Sequence, residues 1–222
     1  MILGLVMAGF MAAAPSALES ARDRQDRATL EKMVAEYSAA AAKAPNNADA
    51  QYRVALAASY LAEVAIEQHD RKPGRQAAEQ GIKAAEKAIS LKPEAEYYRV
   101  LATLCGQAIT DVLSGLSYGP RARDAVDRAV ERAPKSSSVY VARGVGSYYL
   151  PAPLGGGAKQ AIADFQKAIE LDPKNAEAYL WLALSLRKEN RNAEARQAFA
   201  KSLELNPNRI WAKEQLDKTP VK

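Results

Sequence analysis

Five stretches of the chain carry the same polar and apolar pattern and end the same way: "SAAAAKAPNN", "KAAEKAISLKPEA", "AVDRAVERAPKSS", "DFQKAIELDPKNA" and "AFAKSLELNPN". In each, apolar residues recur three and four positions apart, as on one face of an amphipathic helix, and a proline closes the pattern. Those prolines are Pro45, Pro93, Pro134, Pro173 and Pro207, spaced by 48, 41, 39 and 34 residues. Proline restricts the residue before it and cannot continue a helix, so each marks a helix end. An internal period of this size predicts helix hairpins stacked in series, each burying its apolar stripe only against its neighbours.

The last unit, "AEAYLWLALSLRKENRNAEARQAFAKSLELNP", places Tyr179, Leu182, Ala183 and Leu186 on a first helix, and Ala195, Phe199, Leu205 and Pro207 on a second. Small residues let antiparallel helices approach and bulky ones fill the gaps. Asn192 is expected to cap the second helix. This unit resembles the tetratricopeptide repeat. The resemblance runs over roughly residues 28–210, sharpest at the C-terminal end. It implies an all-α, right-handed superhelical solenoid of tetratricopeptide helix hairpins with enlarged turns inside the repeats.

The enlarged turns follow from counting. From Gly144 to Ala161 there are 17 steps, against 12 from Ala183 to Ala195, and "LPAPLGGG" supplies the excess. Its prolines bar helix and its glycines allow positive φ. By the same count "TDVLSGLSYGP" is a second enlarged turn, and "RKPGR" turns the chain after a helix of about 22 residues, roughly 33 Å, beginning near residue 48. The hairpins are expected at 48–95, 96–136, 137–175 and 176–209, with capping helices at 18–47 and 210–222. Gly81 stands where the repeat usually has alanine.

Composition adds little that changes this picture. Of 222 residues, 48% are hydrophobic and 26% charged, ordinary values for a soluble chain, and the net charge of +5 comes from interleaved acids and bases. No nucleic-acid partner is expected from that pattern. Cys105 is alone and sits in an apolar helical context, which predicts a buried, inert thiol. The first 17 residues, "MILGLVMAGFMAAAPSA", have no charged side chain and end in small residues. They read as a signal peptide cleaved between Ala14 and Ala17, which places the mature chain in the periplasm or outside the cell, with no membrane span beyond that segment.

No catalytic constellation emerges and no cofactor is expected. His69 has no second ligand nearby in sequence, and Gly155–Gly157 lacks the Lys-Ser/Thr of a phosphate loop. The chain reads as a non-enzyme. The resemblance implies a groove lined by the first helices, and its candidate residues are Arg53, Tyr60, Arg99, Arg143, Tyr148, Tyr149, Trp181 and Arg187. Arginines beside aromatics suit carboxylates or peptide side chains. Two functions compete: a scaffold binding a protein or peptide in the cell envelope, and a small-carboxylate-binding accessory of a periplasmic solute transport system.

Overall fold

The computed structural model describes residues 16–221. The signal-peptide reading falls on residues 1–15, outside the described residues, apart from its last two positions. Eleven α-helices are described: α1 Ala17–Asp23, α2 Arg27–Lys43, α3 Ala48–Glu67, α4 Arg71–Leu91, α5 Ala95–Gln107, α6 Val112–Arg132, α7 Ser137–Tyr149, α8 Ala158–Leu171, α9 Ala176–Lys188, α10 Asn192–Leu205 and α11 Ile210–Asp217. They pair as five successive hairpins, α1–α2 to α9–α10, with α11 closing the last. The protein is an all-α solenoid. Odd-numbered helices form one layer and even-numbered helices the other.

Each repeat proline stands two residues beyond the end of α2, α4, α6, α8 or α10. The next helix then starts on its own cap. Asn47 and Asn175 accept the backbone N–H of Ala50 at 3.0 Å and of Ala178 at 3.1 Å. Such caps satisfy one of the N–H groups a helix start leaves without a partner. Within hairpins, the α1–α2, α3–α4 and α9–α10 turns share one geometry. Gln25, His69 and Asn190 take positive φ, and the next N–H bonds back to Ala21, Ala65 or Leu186. That contact is the six-to-one bond of a Schellman helix end.

The long turn at 150–157 is present: a short 3-10 turn, Ala152–Leu154, followed by Gly155 and Gly157 at φ +87° and +103°. The other two expected turns are helix instead. "VLSGLSYG" is the first part of α6, started by a capping box in which Asp111 and Ser114 exchange hydrogen bonds. Tyr118 donates to Glu79 at 3.2 Å and Arg121 pairs with Glu86 at 2.6 Å, so α4 holds this extension down its length. It leaves Val112, Leu113 and Leu116 with 70–80% of their surfaces exposed. "RKPGR" opens α4, and Pro73 falls in the first turn, where a missing N–H costs no hydrogen bond. Asn192 is the first residue of α10 and Arg191 occupies the cap position.

The core is alanine-rich because the layers approach closely. A methyl on Gly144 would lie 2.5 Å from the Phe165 ring, and one on Gly81 2.6 Å from Leu104. Gly81 is therefore a packing requirement of the α3–α4–α5 contact. Gly144→Ala gains helix propensity of about 1 kcal/mol at most but forces Phe165 to move, at about 1–3 kcal/mol. We expect net destabilisation, read as a lower urea midpoint at unchanged m-value. Cys105 is buried, and burial pushes its thiol up to about 11.

Candidate functional site: an inner face closed by Arg209

The expected groove residues come from odd helices but do not form one row of free arginines. Arg99 is committed to Glu96 through two hydrogen bonds of 2.7 and 2.6 Å, and Tyr52 donates to the same carboxylate at 2.9 Å. Burial alone would raise the Glu96 carboxyl, but Arg99 and Tyr52 outweigh it and hold it below its ordinary value. Arg143 turns toward α8, bonding Asp164 at 3.0 and 2.6 Å and stacking on Tyr140. Arg187 braces the C-terminal cap through the Gln215 carbonyl oxygen and side chain and the Thr219 hydroxyl. Arg53 is exposed and lies apart, lining a cavity of about 280 Å³ with Tyr37, Asn47 and Asp49.

The aromatics do come together. Tyr148, Tyr149 and Trp181 meet edge to face with ring centroids 5.0–6.0 Å apart, and Trp181 continues to Trp211 at 5.5 Å. Tyr149 keeps 64% of its surface exposed. The surrounding protein, Tyr148 and the charges of Glu67 and Glu63 push its hydroxyl up to about 12. Tyr60, on α3, carries the Arg22 guanidinium 5.0 Å above its ring.

Sequence reasoning missed the groups that join the two ends of the chain. Arg209, in the turn before α11, is 1% exposed. It reaches α3, bonding Glu63 at 2.6 Å and Glu67 at 2.5 and 3.1 Å, and meets Glu177 of α9 at 3.1 Å. From α1, Arg22 pairs with Asp23 at 2.6 Å and with Glu177 at 3.2 Å, while Asn206 donates to Asp23 at 2.8 Å. Residues separated by 142 to 183 positions thus touch. The solenoid closes on itself as a ring.

The clasp holds four carboxylates against two guanidiniums, and its members titrate apart. Burial pushes Glu63 up to about 7 against the pull of Arg209 and Arg22, with Glu67 and Glu177 adding to the rise. Glu67 is raised for the same reason, while Arg22 and Arg209 outweigh burial at Glu177 and hold it low. Tyr60 and Tyr149 complete the surroundings of Glu63. A carboxyl raised by folding contributes stability that is full below its unfolded value of about 4.5 and is lost as pH rises through about 7. Glu63→Gln removes that dependence. Its stability relative to wild type is expected to improve from about pH 5 to about pH 8 in urea titrations. A constant difference would place Glu63 outside the titrating set.

One signal could have found this site. Glu63 and Glu67 are like charges four residues apart on an otherwise alanine-rich apolar helix, an unfavourable pair that calls for a cation from elsewhere. Among the described residues, no group of three or more His, Cys, Asp or Glu side chains is placed to hold a metal ion, and no helix is long and apolar enough to cross a membrane.

Stacked antiparallel hairpins with small residues at the close approaches and proline after each second helix define an α-solenoid of the helical-repeat class. A family model for the tetratricopeptide repeat matches residues 155–210. The thermophilic TPR protein TTC0263 of Thermus thermophilus is similar in structure, with TM-score 0.60 at 18% identity over 90% of this chain and 97% of that one. The HusA haemophore of Porphyromonas gingivalis superposes at TM-score 0.51 and 18% identity, over 89% and 96% of the two chains. Residues 155–210 thus carry the tetratricopeptide repeat, and the chain as a whole has the fold of a tetratricopeptide solenoid. No curated protein matches it in sequence. Proteins of this family are generally binding or scaffold proteins rather than enzymes.

Proposed function

We propose that this protein is a non-enzymatic scaffold that binds a polypeptide segment of a partner on its inner face, and that residues 1–17 direct its export to the cell envelope. The observation that carries the binding reading is the aromatic wall. Tyr149 stands open with 64% of its surface exposed, backed by half-buried Tyr148, Trp181 and Trp211, with Lys188 over the Tyr148 ring and Arg209 over the Trp211 ring. Clustered Tyr and Trp offer large contact area at little entropic cost and dominate protein-binding surfaces. The carboxylate-binding alternative rested on a row of available arginines, and Arg99, Arg143 and Arg187 are each engaged within the chain.

A photocrosslinking residue placed at Tyr149, with the same residue at exposed Gln166 of α8 for comparison, tests the binding surface in cells of the source organism. Polypeptide adducts from position 149 and none from 166 are expected. Adducts from 166 alone would move the surface to the outer layer. Fractionation of cells making the chain with and without residues 1–17 tests export separately, with loss from the envelope fraction expected on deletion.

A further inference from the structure

Two observations bear on how the inner face is reached. The first concerns the core, which is not continuous. One set of buried residues runs through α1 to α6, centred on Leu30, Val64, Val100 and Leu104. Another lies in α8 to α11, centred on Leu180, Leu184 and Phe199. Between them stands only a small group, Tyr98, Ala129 and Val139, with Ile89, Val130 and Ala133 beside it. At this seam α6 buries Ser114, Ala125 and Ala129, and α7 buries Val139 and Gly144. The seam is small, with Tyr98 its one large buried side chain and only Ala129 and Val139 buried beside it.

The second observation is the nature of the other junction. Where α1 and α3 meet α9 and the turn before α11, the hydrogen bonds and ion pairs described are those of Arg209 and Arg22 and the Asn206–Asp23 bond. Every one of them is made by the tip of a polar side chain. Ions released into water regain their hydration, so separating such a junction forfeits far less than separating an apolar one of equal size. Each half keeps a core of its own in the process.

We propose that the ring is a hinged clamp: residues 16–132 and 137–221 move as two bodies about the Ala133–Ser136 turn, with the Arg209 clasp as the latch. Opening parts Arg209 and Arg22 from their partners across the junction and leaves every hairpin intact. It gives access from the side to Tyr60 and to the Tyr149 wall, and so admits a chain without threading a free end. The hinge concerns the protein alone and does not depend on the partner proposed above.

Spin labels at Ala35→Cys on α2 and Lys213→Cys on α11, both exposed positions, report the distance across the latch. A second pair, Gln166→Cys and Lys213→Cys, lies within one body. The buried Cys105 thiol stays unlabelled. In the full chain we expect one dominant short distance for the first pair. In Arg209→Met, and independently in Glu63→Gln/Glu67→Gln, the longer-distance population should rise about tenfold or more, equivalent to about 1.4 kcal/mol, with the second pair unchanged. An unchanged first pair in whichever of these variants folds would overturn the hinge. Broadening of both pairs together would do the same, because it would mean general loosening in place of two-body motion.

Discussion

Replacing Arg209 with alanine should destabilise the protein by about 3–5 kcal/mol, the largest effect expected of any single charged residue in the chain. Arg209 is 1% exposed and touches Glu63, Glu67 and Glu177, which come from two helices at opposite ends of the repeat series. Removing it leaves those carboxylates and Asp23 with Arg22 as the remaining guanidinium of the clasp. An uncompensated buried charge is what makes the loss large, since an intact buried pair contributes little net stability. Part of the effect should therefore be recovered by Glu67→Gln in the same chain. Chemical denaturation checks both variants. A loss below about 1 kcal/mol for Arg209→Ala would mean that the clasp opens to water at negligible cost.

Phe165→Ala should cost a similar amount, about 3–5 kcal/mol, for an unrelated reason. Phe165 has no exposed surface, fills the space that Gly144 leaves on α7, and stacks on Trp181 with ring centroids 6.4 Å apart. It ties α7, α8 and α9 together, so its loss empties a cavity bounded on three sides by helix. The surrounding alanines cannot extend to fill it. Equilibrium unfolding should show a lower midpoint with the m-value of wild type. Restoring volume from the other side, by Gly144→Ala in the Phe165→Ala chain, should recover part of the loss, although each change alone destabilises. Strict additivity would show that the two positions do not share the cavity.

Much of this fold was legible before any coordinates, because it is written in local rules. A proline two residues past each second helix and alanines at the close approaches need no long-range information, and they mark the helix ends and hairpins. The family match at residues 155–210 falls where that pattern is sharpest. Two segments misled for a local reason. Gly119-Pro120 and Pro73-Gly74 are turn signals, yet Pro73 falls harmlessly in a first turn, while α6 continues through Pro120 because the Asp111 cap and the side chains of α4 hold its start.

The site was less legible. Helical period places Arg99, Arg143 and Arg187 on first helices, but it is silent on what each meets. Arg143 finds Asp164 across its own hairpin and Arg187 finds the C-terminal cap, so neither stands free in a groove. The aromatics were easier, since Tyr148, Tyr149 and Trp181 recur on adjacent first helices and the stacking follows. The clasp depends on the curvature of the whole ring, which brings residue 209 to residue 67, and no periodicity encodes that.

The most direct measurement is a double-mutant cycle across the ring, Arg209→Met with Glu67→Gln, each variant and the pair unfolded in urea. A ring closed through this contact predicts a coupling energy of about 1–3 kcal/mol between residues 142 positions apart. Additivity within about 0.5 kcal/mol would contradict it, and would leave an open solenoid whose two ends do not meet.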